Sequence, residues 1–143
     1  MERLILWSPT LLFRFYVDEI VYVKAAGNYS DVVLINGKSY RITSKLKKFE
    51  EHFSKLKHAD WFVRLGRSHI VNIKYVEKID ITAQTIWFGG KHVVKERQRQ
   101  RDNLGPVNPI EKLKENDIYK IIRIPTSELR PLKEMLEQKK DEP

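Results

Sequence analysis

The apolar and polar positions along this chain change period several times, and the changes mark out its elements. Leu11, Phe13, Phe15 and Val17 alternate with Leu12, Arg14, Tyr16 and Asp18, which predicts a strand with one apolar and one mixed face. Ile20–Ala26 is a second, more continuously apolar strand, ended by Gly27-Asn28. Residues 29–35 and 38–42 flank Asn36-Gly37, the dipeptide best suited to a two-residue hairpin turn. Helical spacing then takes over, with Leu46, Phe49, Phe53 and Leu56 on one side, Ser44 as an N-cap and Glu51 four residues before Lys55. Lys45, Lys47 and Lys48 crowd the first turn, where positive charge opposes the helix dipole. A role with phosphate and a solvated face both account for them.

Strand patterns resume at residues 61–65, 69–73, 76–81 and 85–88, with Gly89-Gly90 as a turn. Residues 95–117 are almost wholly polar. Within them Asn108-Pro109-Ile110-Glu111 has the form of a helix start, so a short helix is expected over 109–115. A last strand is expected over 118–124 and a last helix over 127–138, with Leu129, Leu132, Met135 and Leu136 on one face. No repeat, coiled coil or long low-complexity tract is present.

The stretch richest in chemistry is residues 62–72. Val63 and Leu65 alternate with Phe62 and Arg64, Gly66-Arg67-Ser68 breaks the pattern, and Ile70 and Val71 resume it. Gly66 permits a positive φ where the chain reverses, so Arg67 stands at the tip of a tight turn with no carboxylate beside it in sequence. A projecting guanidinium suits phosphate or a guanine edge. A hairpin turn with a solvated arginine reads equally well from spacing alone.

Composition narrows the partners. The chain has 143 residues, 41% of them apolar, enough for one domain with a real core. Net charge is +8, and the excess lies in the middle, where residues 61–105 carry 9 Lys/Arg against 4 Asp/Glu. Residues 106–143 carry 8 against 8. This favours polyanions such as nucleic acid or an acidic membrane face. Cysteine is absent, which excludes disulfides, a thiol nucleophile and cysteine-ligated zinc. The apolar start, residues 4–7 and 11–13, is broken by Ser8-Pro9 and Arg14 and is too short to span a bilayer, so a cytoplasmic protein is expected. His52 and His58 are six apart and no HExxH spacing occurs, so no metal site is expected. Ser68 and His69 are adjacent, and on a strand they would point to opposite faces and could not pair. No P-loop or GxGxxG is present, so no enzyme is expected.

Read in order, Ile20-Val21-Tyr22-Val23, Gly27-Asn28-Tyr29, Ser44-Lys45-Leu46, then Phe62, Arg64, Arg67, Ser68, Val71 and Asn72 resemble the LytTR DNA-binding family, the output domains of many bacterial response regulators. The resemblance spans roughly residues 11–94, and its one departure inside the signature is Gly66, where a histidine is common. It implies a mainly β fold of elongated antiparallel sheets with a few short helices, forming a single domain over 1–143. It also implies a transcription regulator that reads duplex DNA through loops and needs no cofactor. By position, the base-contacting loops map to Tyr29, to Arg67 and to a C-terminal basic residue, and Ser68 falls at a phosphate contact. Two registers remain for the C-terminal loop. Without gaps, it falls at Arg99, in a basic run that also includes Arg97 and Arg101. Otherwise residues 95–117 are a basic insertion, 118–138 supply the family's last strand and helix, and Arg130 is the basic residue nearby. The resemblance further implies paired direct repeats in the DNA and a homodimer on them. No room is left for a receiver domain, so phosphorylation within the chain is not expected to drive it, and either ligand sensing or a signalling partner in trans would supply the input. A protein-interaction module with a repurposed surface is the alternative reading, motivated by Gly66 and the near-neutral C-terminal third.

Overall fold

The structure is a computed structural model that describes residues 2–89 and 119–138. The chain divides into two compact units, Met1–Lys74 and Tyr75–Pro143. The first unit opens with β1 (Arg3–Trp7) and β2 (Leu12–Tyr16), paired antiparallel with Leu4 opposite Phe15 and Leu6 opposite Phe13. Cross-strand partners share a face, so these four side chains point together into the core. The other face carries Arg3, Ile5, Trp7, Leu12, Arg14 and Tyr16, by the same register.

The first unit's main sheet has five strands. They are β3 (Ile20–Ala26), β4 (Tyr29–Leu34), β5 (Ser39–Ile42), β6 (Phe62–Leu65) and β7 (His69–Asn72). Their order is β5-β4-β3-β7-β6, and every neighbour is antiparallel. β3 is the central strand, which explains its nearly unbroken apolar run: Ile20, Val21 and Val23 are wholly buried. One row of opposed residues, Tyr40, Val32, Val23, Ile70 and Arg64, shares the face that meets β1, β2 and the helix. The next row, Arg41, Asp31, Lys24, His69 and Leu65, lies on the opposite face.

Helix α1 (Leu46–Ser54) packs on the first of these faces through Leu46, Phe49 and Phe53, all buried. Phe53 stacks on Phe62 with ring centroids 4.0 Å apart. Each aromatic ring removed from water contributes roughly 2–3 kcal/mol. The expected Ser44 cap does not form. Lys45 occupies the cap position without a side-chain hydrogen bond, and the Ser44 carbonyl instead accepts a hydrogen bond from Ser30 Oγ at 2.6 Å. Nor does Glu51 pair with Lys55 among the described residues, where Glu50 reaches Arg64 at 3.4 Å.

The hairpin between β4 and β5 also differs from expectation. A two-residue I′ turn needs positive φ at both Asn36 and Gly37. Only Gly37 has it, at φ +86. Asn36 instead turns its Oδ1 inward to accept the Lys38 amide at 2.9 Å, and the strands end at Leu34 and Ser39. The side chain of Asn36 thus shapes a longer loop.

The second unit has β8 (Val76–Asp80), β9 (Thr85–Phe88) and β10 (Lys120–Ile121) in the order β10-β9-β8, again antiparallel. Helix α2 (Thr126–Gln138) buries Leu129 and Leu132. β10 is shorter than the expected strand over 118–124 because Arg123 takes φ +60, a left-handed conformation that no strand continues through. Ile124 is nonetheless buried and its amide bonds the carbonyl of Gln84 at 3.1 Å. The helix expected over 109–115 lies outside the described residues.

Asn72 ends β7 with its whole side chain buried. Its Nδ2 donates to the Ile20 carbonyl at 2.9 Å and its Oδ1 accepts the Lys74 amide at 3.0 Å. Ile20 stands beside the irregularity where β3 and β4 shift register. Asn72→Ala removes both bonds and leaves the buried Ile20 carbonyl without this donor, so it should destabilise the domain by about 1–3 kcal/mol. Urea unfolding at pH 7 measures this; a loss under about 0.5 kcal/mol would mean that the asparagine does not bind the two segments together.

Candidate nucleic-acid interface

β3 passes into β4 through only two residues. Ala26 pairs with Tyr29, so Gly27 and Asn28 make the whole reversal, and Gly27 takes φ +65. A Cβ at Gly27 would meet open space. Backbone conformation, and not crowding, therefore requires glycine here. Tyr29 leaves the turn 44% exposed.

The turn between β6 and β7 uses three residues. Leu65 pairs with His69, Gly66 takes φ +51, and the Ser68 amide closes the turn on the Leu65 carbonyl at 3.2 Å. Arg64 braces it from behind, its Nε donating to the Gly66 carbonyl at 2.8 Å. Arg67 at the tip is exposed, with no hydrogen-bond or ion-pair partner among the described residues.

Two hydrogen bonds bring these turns together with a third loop. The Ala25 amide donates to the Ser68 carbonyl at 2.8 Å, which joins the last residues of β3 to the arginine turn. Ser30 Oγ holds the Ser44 carbonyl, and Ser30 stands opposite Ile42, so residues 43–45 leave the sheet at the same end as Tyr29. That loop brings Lys45 and then Lys47 of α1, both exposed, and β3 adds exposed Lys24. Tyr29, Arg67, Ser68 and three lysines thus share one end of one sheet.

The acidic side chain in this row is already matched. Asp31 accepts two hydrogen bonds from Arg41, at 2.9 and 3.1 Å. That bidentate contact holds the Asp31 carboxyl below its ordinary value against the cost of partial burial, with help from the charges of Arg41 and Lys24. The Arg41 guanidinium lies 5.9 Å from the centre of the Tyr29 ring. One arginine therefore neutralises the carboxylate and flanks the tyrosine.

His69 overturns one expectation. Ser68 belongs to the turn and not to a strand, so strand alternation does not separate the two side chains, and Ser68 Oγ lies 2.8 Å from His69 Nδ1. The same hydroxyl approaches the Leu65 carbonyl at 3.3 Å. Burial, aided by the charge of Lys24, pushes His69 down to about 4, and its Nε2 is buried with no hydrogen-bond partner among the described residues. Such an imidazole is neutral and a weak base near neutral pH. The contact braces the turn and does not activate the serine. No group of His, Asp or Glu among the described residues could hold a metal ion.

Of the other residues expected from sequence, Arg130 belongs to the second unit and is exposed on α2. Arg97, Arg99 and Arg101 lie outside the described residues. Lys24 was not singled out from sequence, and for Lys45 and Lys47 a phosphate role was one of two readings beside a solvated face. The signal for the latter two was present, because a hairpin closed at Gly37 must return β5 to the end where Tyr29 starts.

The family model of the LytTr DNA-binding domain matches residues 11–100, most of the chain, and the chain belongs to that family. It is therefore a DNA-binding domain. Among solved structures, it resembles the LytTr DNA-binding domain of a Bacillus cereus protein described as a methyl-accepting/DNA response regulator. The TM-score is 0.54 and the identity 18%, over 95% of this chain and 97% of that one. No curated protein matches. Among the described residues no helix is long and apolar enough to cross a membrane.

The depressed His69 gives a pH dependence. Its folded value lies below the ordinary 6.5, so as pH falls the unfolded chain takes up the proton first. The associated stability is intact above about 6.5 and falls between there and about 4, by at most about 3 kcal/mol. Asp31 loses its contribution only below the ordinary 3.8, outside that window, whereas His52, lowered by partial burial and then by Lys48 and Lys55, adds to the decline within it and is unchanged in the variant. Urea midpoints measured from pH 7.5 to 4.5 should decline for the native chain and flatten in His69→Asn; parallel curves would refute a role for His69.

Proposed function

We propose that this domain regulates transcription by presenting the loops at one end of its five-stranded sheet to the major groove of duplex DNA, reading sequence there. Arg67 reads a guanine edge, Tyr29 makes an apolar or hydroxyl base contact, and Ser68 with Lys24, Lys45 and Lys47 holds phosphates. The observation that carries this reading is the hydrogen bond from Ala25 to Ser68, which ties the two turns to adjacent strands. An unpaired guanidinium and a half-exposed phenol then stand at the same end, beside lysines and a carboxylate already matched by Arg41. α1 begins at the same loop without a side-chain cap or an acid in its first turn, which suits a phosphate approaching its amides.

Arg97, Arg99 and Arg101 add phosphate contacts in the ungapped register, and Arg130 adds one in the other. Two copies bind paired direct repeats as a homodimer on DNA, and a signalling partner supplies the input in trans. The response-regulator description of the Bacillus cereus protein agrees with such a role.

Arg67→Ala should lower affinity for the preferred duplex by about 1–3 kcal/mol, the cost of a lost bidentate guanine contact. A scrambled duplex at the same salt serves as control. Equal losses on both would reduce Arg67 to a phosphate contact, and no salt-dependent binding at all would favour a protein-interaction module.

The lysines give a separate expectation. Neutralising Lys24, Lys45 and Lys47 together should flatten the slope of log affinity against log salt by up to about 2.7 units, about 0.9 for each phosphate contact. The preferred sequence should survive. An unchanged slope would show that these lysines face solvent away from the DNA.

A further inference from the structure

The first unit has a groove of about 310 Å³ between the turn of the β1–β2 hairpin, the loop after β5 and α1. Its size falls at the lower end of small-molecule sites. One side is apolar, built by Trp7, Leu11 and Phe13, of which Trp7 is 72% and Leu11 59% exposed. The other side is polar, with Lys48 and His52 from α1 and Arg41 of the edge strand β5 at its rim, and no Asp or Glu lines it.

These two sides fix the chemistry of an occupant. Lys48 and His52 are four residues apart and so neighbours on one helix face. Arg41 is already matched by Asp31, which leaves the helix pair to meet an anion. Partial burial, then Lys48 and Lys55, lower the affinity of His52 for its proton, against a smaller opposing pull from Glu51. An anion between Lys48 and His52 would reverse that repulsion. Exposed indole and leucyl surface beside it gains by covering a flat ring or short acyl chain.

We propose that this groove binds a small amphipathic carboxylate, its apolar body against Trp7, Leu11 and Phe13 and its carboxylate at Lys48 and His52. The site does not depend on the DNA-binding reading and is tested without DNA.

The probe is 2-naphthoate, with 2-naphthylmethanol as the uncharged isostere, titrated into the full chain and followed by NMR. The chain has three tryptophans, so the Trp7 indole signal is assigned with Trp7→Phe. 2-Naphthoate should shift the Trp7 signal with a dissociation constant of about 1 mM or tighter, from about 0.3 kcal/mol per non-hydrogen atom. The alcohol should bind about tenfold more weakly, the loss of one charge-assisted hydrogen bond. Lys48→Glu, at an exposed helix position, should weaken 2-naphthoate by at least about tenfold while leaving the alcohol unchanged. The titration midpoint of His52 should rise when 2-naphthoate is bound. Equal affinity for acid and alcohol, shifts at Trp61 or Trp87 in place of Trp7, or an unmoved His52 midpoint would each overturn the proposal.

Discussion

The rest of the first unit depends on one constraint, the pairing of β3 on both edges. A strand flanked by β4 and β7 has its amides and carbonyls committed on either side, and its side chains are dry along most of its length. Its register therefore cannot slip by one residue without turning buried valines outward and Lys24 inward. Fixing β3 fixes where the chain leaves the sheet after Ala26, and the bond from Ala25 to Ser68 fixes the second turn against the first. The geometry of the end that carries Tyr29 and Arg67 is thus set by core burial several residues away.

That arrangement explains how loops can act as a reading surface. A flexible loop must give up conformational entropy of roughly 1–2 kcal/mol per residue when it is ordered on DNA. The Gly27-Asn28 turn has only two residues between paired strands, and the Gly66-Arg67-Ser68 turn is closed by its own backbone bond and braced by Arg64. Most of the ordering cost is therefore met during folding. Each turn depends on a glycine in the left-handed region, so Gly66, in place of the family's common histidine, gives up one polar group and lets Arg67 project without strain.

Much of this architecture was legible in the sequence. Strand alternation in residues 11–17 and the helical spacing of Leu46, Phe49 and Phe53 each reflect a single buried face, the apolar run of β3 reflects burial on both of its faces, and each element formed close to its expected bounds. The misreadings share one cause. Ser44 as a cap, Asn36-Gly37 as a two-residue turn and the separation of Ser68 from His69 were local rules applied where a longer-range bond or a side chain decided the outcome. Ser44 offers its carbonyl to Ser30, fourteen residues earlier, and Asn36 spends its side chain on Lys38. Arg67 and Tyr29 could be named because turn chemistry is local. Their proximity could not, because it rests on the pairing of β3 with β7 across more than forty residues.

Arg41 shows how much a weak interaction can matter by its position. An exposed ion pair with Asp31 contributes about 0–1 kcal/mol to stability, too little to explain its place in the fold by energy alone. Its effect is electrostatic. Without Arg41, the Asp31 carboxylate would stand bare on the strand that begins with Tyr29, at the end of the sheet where phosphates are expected, and like-charge repulsion would work against binding. With it, the row across the sheet runs cation, anion, cation from Arg41 through Asp31 to Lys24, and its net charge is positive.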